Sequence, residues 1–201
     1  MSPEARARVR ALAVLAAVLV VFAVYGTLAD SPFTWFYVPI TAVLAGLVAL
    51  VDRSARFSPE VLAALVAIAA GNLAGGVLLV EGEPLYLLEL VGPVRYDKLF
   101  HATSTGVAAW ACWDALTTWA GTAWSAGGLA AAAFLMACGT GALVEVVEFA
   151  GTSVFTNTNV GDYGDNMLDL VANAAGAAVV AVVLWRSAVR SRSAAGVTGT
   201  R

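Results

Sequence analysis

Charged side chains are scarce in this chain. Lysine, arginine, aspartate and glutamate make up 12% of its 201 residues, while 60% are hydrophobic and the mean hydropathy is +0.82. Soluble domains carry about 25% charged and about 45–50% apolar residues, so the shortage excludes that class and points to a membrane protein. The net charge of −3 and the sequence pI near 5.0 reflect acids gathered on one side, not an acidic tail or a nucleic-acid surface; nucleic acid is excluded as a partner. Only two cysteines occur, Cys112 and Cys138. Both fall inside apolar runs and read as small buried hydrophobes rather than a disulfide. There is one histidine, His101. Internal repeats, low-complexity tracts, a nucleophile motif, an H-E-x-x-H metal signature and a phosphate-cradling glycine loop are all missing.

What the chain has instead is six apolar runs of about the length, near 20 residues, that crosses a hydrocarbon core of about 30 Å. They lie at 11–28, 35–51, 60–80, 99–120, 127–150 and 166–188. The expected fold is therefore all-α: a polytopic transmembrane helix bundle of six spans, forming one domain over residues 1–201. Arg6, Arg8 and Arg10 ahead of the first run resemble the start of a signal peptide. The run is too long for an h-region of about 7–15 residues, and five more follow, so it is read as a span. Lysine and arginine are retained on the cytoplasmic side of short loops. With six spans both termini share a side, and that side holds nine of the eleven basic residues, leaving Arg95 and Lys98 opposite. The termini are expected in the cytoplasm, in a cell (plasma or inner) membrane. The first ten residues and the end from Ser187 read as short mobile flanks.

The acids are placed with more order than the hydropathy requires. "YDKLFH" opens the fourth run with Asp97, Lys98 and His101, and Asp97 and His101, four apart, share a helical face that Ser104 and Thr105 continue. "EVVE" ends the fifth run with Glu145 and Glu148 three apart, and the sixth sets Asp165, Asp169 and Asn173 at i, i+4 and i+8. In the expected topology these three stripes meet at the outer leaflet. Asn72 lies about eight residues, or about 12 Å, from the outer end of the third run, a depth like that of Asn173. An ionised carboxylate at mid-bilayer costs on the order of 2.5–3.5 kcal/mol and usually faces the bundle interior. Residues 81–96 read as an interfacial or re-entrant segment, and 151–164 as a polar loop; both are candidate lids.

The ordered set "DKLFH", "EVVE" and D-x-x-x-N-x-x-G at 169–176 resembles the VanZ-like superfamily, and the Glu-x-x-Glu pair with six spans is similar to its YjdF-type branch. The resemblance covers residues 96–180. It implies a polytopic cell-membrane protein with these acids and the histidine at its functional centre, some relatives being associated with glycopeptide-antibiotic resistance. It supplies no reaction.

Each residue also has a plainer reading. Asp97 with Lys98 and Arg95 could anchor a helix end; His101 could be a satisfied interfacial side chain; Glu145 and Glu148 could clamp Lys98 or His101; Asp165 and Asp169 could complement a helix dipole. Asp114, deeper in the fourth run, reads as a buried acid bonded to a neighbouring helix. Three functions remain open. In the first, His101, Asp97, Glu145, Glu148 and Asp169 are catalytic, with His101 as general acid/base, and act on a lipid-linked or amphiphilic substrate bound through Asn173, Asp165, Lys98 and Asn72. The carboxylates there share protons or hold a divalent metal, with His101, Glu148 and Asp169 as its ligands. In the second, the same cluster binds a lipid headgroup or an antibiotic without chemistry. The third is a proton- or cation-coupled transporter, disfavoured because the polar path stops near Asn72 and Asn173.

Overall fold

The computed structural model describes residues 1–92, 94–121, 123–152 and 161–198. It contains six long helices: α1 (Pro3–Leu28), α2 (Thr34–Ala55), α3 (Pro59–Val77), α4 (Tyr96–Ala120), α5 (Ala126–Thr152) and α6 (Tyr163–Thr198). The starts of α1 and α3 follow one local rule. Each opens on Ser-Pro-Glu, at 2–4 and 58–60: the serine hydroxyl caps a backbone N–H (Ala5 at 3.1 Å, Val61 at 3.4 Å), proline takes the first helical position, and glutamate faces the positive helix end. Helix α2 stops where Arg56 turns left-handed at φ 52°.

Among the described residues, five helices, all but α4, are long and apolar enough to cross a membrane by length and composition. Helix α4 has 25 residues, about 37 Å at 1.5 Å per residue. Asp97, Lys98, His101, Asp114 and several hydroxyls dilute its hydropathy. Across the described helices, large apolar side chains stand exposed, among them Leu28 at 82%, Leu135 at 66% and Val171 at 64%. A water-soluble chain would bury such residues; a bilayer covers them.

Two compact units divide the chain, 1–100 and 101–201. In the first, α3 packs on both α1 and α2, with Leu73, Val61 and Val77 fully enclosed. Near the N-terminus Arg8 grips Asp52 with two nitrogens, at 2.6 and 3.1 Å, and the same carboxylate accepts the Phe57 N–H at 2.8 Å. The expectation of a mobile ten-residue N-terminal flank is thus corrected: helix α1 runs from Pro3, and Arg8 ties it to the α2–α3 turn. At the other end, α6 continues to Thr198.

The connection from α3 to α4 is a small folded insert. Strand β1 (Leu79–Val80) pairs antiparallel with β2 (Glu83–Pro84), a 3-10 turn follows at Leu85–Leu87, and β3 (Glu89–Val91) pairs antiparallel with β4 (Val94–Arg95). Tyr86 anchors it: the ring is 7% exposed and lies on Gly75, where any Cβ would overlap it. Its hydroxyl donates to Asn72 Oδ1 at 2.7 Å, and Asn72 Nδ2 donates to Thr41 at 2.9 Å. Helix α3 therefore ends at Val77, three residues before the expected end of the third span, because the chain turns into this insert. Of the second candidate lid, 151–164, residues 153–160 lie outside the described residues.

The second unit is built on small residues. Ala109 of α4, Ala137 of α5 and Ala177 of α6 are fully buried against one another, with Phe134, Cys138 and Val180 around them. Gly176 lies directly on the backbone of Ala102, and Gly106 on that of Gly176, so α4 and α6 approach at backbone distance. Small residues permit such approach where lipid gives no hydrophobic drive.

Candidate functional site

That close packing sets the site in the second unit. His101 stands one turn into α4, Glu145 and Glu148 lie in the last turns of α5, and Asp169 and Asn173 in the first turns of α6. Each set sits on one helical face because its spacing is three or four residues. On α5 the buried stripe runs Ala133, Ala137, Gly141, Glu145; on α6 it runs Asp169, Asn173, Ala177, Ala181. The polar residues are the outer continuation of the same stripes that form the alanine core.

The imidazole of His101, 6% exposed, lies between two carboxylates. Nδ1 is 3.3 Å from Glu145 Oε1, and Nε2 is 3.7 Å from Asp169 Oδ1. Glu145 is 7% and Asp169 3% exposed. Asn173, 2% exposed, accepts the Thr105 hydroxyl on Oδ1 at 2.5 Å, and the same oxygen is 3.3 Å from His101 Nδ1. His101, Glu145 and the half-buried Glu148 each offer a ligand atom within 4.8 Å of the others.

Proton counting shows what this arrangement demands. A neutral imidazole has one N–H and can donate to one neighbour only. Serving Glu145 and Asp169 together requires imidazolium, a protonated acid, or a cation between the groups. With all three carboxylates ionised and the histidine protonated, the set of His101, Glu145, Glu148 and Asp169 still carries two net negative charges. Like charges brought together out of water are costly, so such a set favours shared protons, neighbouring cationic groups or a bound cation.

The other expected site residues are placed as follows. Asp97 occupies the first turn of α4, one turn before His101, and Lys98 pairs with it at 3.0 Å. Asp165 lies one turn before Asp169, half-buried, in the turn where its own N–H bonds Asp162 Oδ1 at 3.0 Å. Asn72 has both ends of its carboxamide engaged, by Tyr86 and Thr41, in the first unit. Thr105 was not among the expected site residues. Its position four after His101 was the available signal, and its partner Asn173 gives it a place in the cluster.

The family of predicted membrane proteins designated DUF2238, in which the YjdF-type proteins fall, matches this sequence over residues 10–190. No curated protein and no solved structure matches it.

Proposed function

The chain belongs to the DUF2238 family of predicted membrane proteins, and from that premise we propose that it is a VanZ-like membrane protein whose His101–carboxylate cluster handles the polar head of a lipid-linked or amphiphilic substrate. In this reading α4 is the sixth crossing, since a polar stripe turned toward helix neighbours does not face lipid. The six spans act as one membrane domain, the termini are cytoplasmic, and the cluster sits in the outer leaflet of the cell membrane. The distribution of basic residues supports the orientation.

One observation carries the reading: a buried imidazole with a carboxylate at each ring nitrogen, contributed by three helices. Pairing a histidine with carboxylates is how proton-transfer groups are held in orientation. A helix bundle that needed only stability would gain more from apolar side chains at 145 and 169 than from charges that must be desolvated. Glu148 and Asp169 complete the reactive set, and Asn173 and Asp165 serve as headgroup contacts. The second reading, binding without chemistry, rests on the same geometry.

The test is to hold the full chain in nanodiscs with a panel of phospholipids and polyprenyl phosphates, then analyse the lipids by mass spectrometry. A changed headgroup with wild type but not with His101→Asn supports catalysis. Saturable retention of one lipid class without product, lost in the same variant, supports binding. If neither is seen with any member of the panel, the assignment to an amphiphile fails.

A further inference from the structure

We infer that His101, Glu145 and Glu148 form a binding site for a divalent cation, with Asp169 and Asn173 as its supporting groups. The inference deepens the proposed function and rests on it only for the location of the site.

The first observation is spacing. Two ligand atoms on neighbouring vertices around an ion with bonds of about 2.1 Å lie about 3.0 Å apart in an octahedron and about 3.4 Å in a tetrahedron. His101 Nδ1 and Glu145 Oε1 are 3.3 Å apart, and Asn173 Oδ1 lies at the same 3.3 Å from that nitrogen. Glu148 brings a third ligand atom within 4.8 Å of the histidine and Glu145 ligands. Glu145 and Glu148 are three apart on α5, so one helical face delivers both carboxylates.

The second observation is the rest of the histidine ring. A metal-binding imidazole generally turns its other nitrogen to a carboxylate or carbonyl, which fixes the tautomer and presents the lone pair to the ion. Here Nε2 faces Asp169 at 3.7 Å. With the proton on Nε2, the Nδ1 lone pair is directed to the side where Glu145 lies.

The third observation is independent of the acids. Asn173 is 2% exposed, its Oδ1 is engaged, and its Nδ2 has no hydrogen-bond partner among the described residues. That nitrogen lies against Gly141, one turn before Glu145; a Cβ at 141 would stand 2.8 Å from it. A buried amide donor without an acceptor is costly. An oxygen brought in with the ion, from coordinated water or from a phosphate-bearing headgroup, supplies one. One imidazole with two carboxylates suits Mn²⁺ or Zn²⁺ better than Ca²⁺, which takes six to eight oxygens.

The test uses the tag-free full-length protein in nanodiscs, titrated calorimetrically with MnCl₂ and separately with ZnCl₂. Mn²⁺-loaded protein is also examined by pulsed electron paramagnetic resonance. We expect one saturable site for at least one ion and, for Mn²⁺, nitrogen modulation from His101. Affinity should fall at least about tenfold in Glu145→Gln and in Glu148→Gln, and stay unchanged in Glu60→Gln, an exposed acid on α3. Glu148 is half-buried, so its variant keeps the test valid if the Glu145 variant fails to fold. Absence of saturable binding of either ion to folded wild type, or equal affinity in folded Glu148→Gln, overturns the inference. Loss of amphiphile handling in His101→Asn together with full handling after chelation would overturn the cation site while leaving the proposed function standing.

Discussion

His101 Nδ1 and Glu145 Oε1 stand 3.3 Å apart between α4 and α5, both side chains less than one-tenth exposed. This contact separates a structural clamp from a functional cluster. A buried ion pair that serves as a clamp loses about 3–5 kcal/mol when one partner is removed, because the other charge is left uncompensated. A cluster with more negative than positive groups behaves differently, since neutralising one acid relieves repulsion. We therefore predict that Glu145→Gln and Asp169→Asn melt in detergent at or above the wild-type temperature. Mn²⁺ or Zn²⁺ should raise the melting temperature of wild type but not of Glu145→Gln, as expected for a ligand that binds only the folded state. Melting of both variants far below wild type would assign the cluster to structure.

The Arg8–Asp52 pair is the contrasting case. Asp52 holds two guanidinium nitrogens and the Phe57 N–H, so charge and hydrogen bonding coincide at one carboxylate. Asp52→Ala should cost about 2 kcal/mol, in the range for hydrogen bonds to a charged group, and part of the loss should disappear at high salt. Asp52→Asn keeps an acceptor for Phe57 and should cost less. Thermal melts of the three proteins at low and high salt read this order; equal melting of Asp52→Ala and wild type would show that the pair contributes nothing.

Hydropathy made the helices legible, and helical spacing made the stripes at 97–105, 145–148 and 165–173 legible. Neither could show that the acids lie about two turns beyond an alanine core, because contacts between helices depend on which faces meet. The pairing of Asn173 with Thr105 was half visible: Thr105 follows His101 by one turn, but nothing local marks its partner. Tyr86 was not visible at all as the partner of Asn72. Its role depends on an insert of two tiny hairpins whose two- and three-residue strands carry no periodicity to read. The start of α1 was legible in Ser2-Pro3-Glu4, the same capping sequence that recurs at Ser58-Pro59-Glu60.

Orientation can be tested at described positions. Glu83 and Ser191 are both exposed; in the proposed topology the first is outside and the second inside. After Cys112 and Cys138 are replaced by alanine, Glu83→Cys should react with an impermeant maleimide in intact cells, and Ser191→Cys only after permeabilisation. The reverse pattern would invert the membrane placement and put the cluster in the inner leaflet.

Gly176 offers the sharpest test of how the site is held. A Cβ there would fall on the carbonyl of Ala102, the residue after His101, and backbone cannot rotate away as a side chain can. Gly176→Ala must push α4 and α6 apart. Overpacking of this kind costs about 1–3 kcal/mol, and it falls one turn from Asn173, whose bond to Thr105 crosses the same contact. Gly139, by contrast, has nothing within 4 Å of a Cβ. There the greater helix preference of alanine, about 0.5–1 kcal/mol over glycine, meets no opposing clash. Gly176→Ala should therefore melt well below wild type and weaken cation binding, while Gly139→Ala melts at or slightly above wild type and binds normally. Should the two alanine variants melt alike, the backbone-distance contact between α4 and α6 would not be what positions His101.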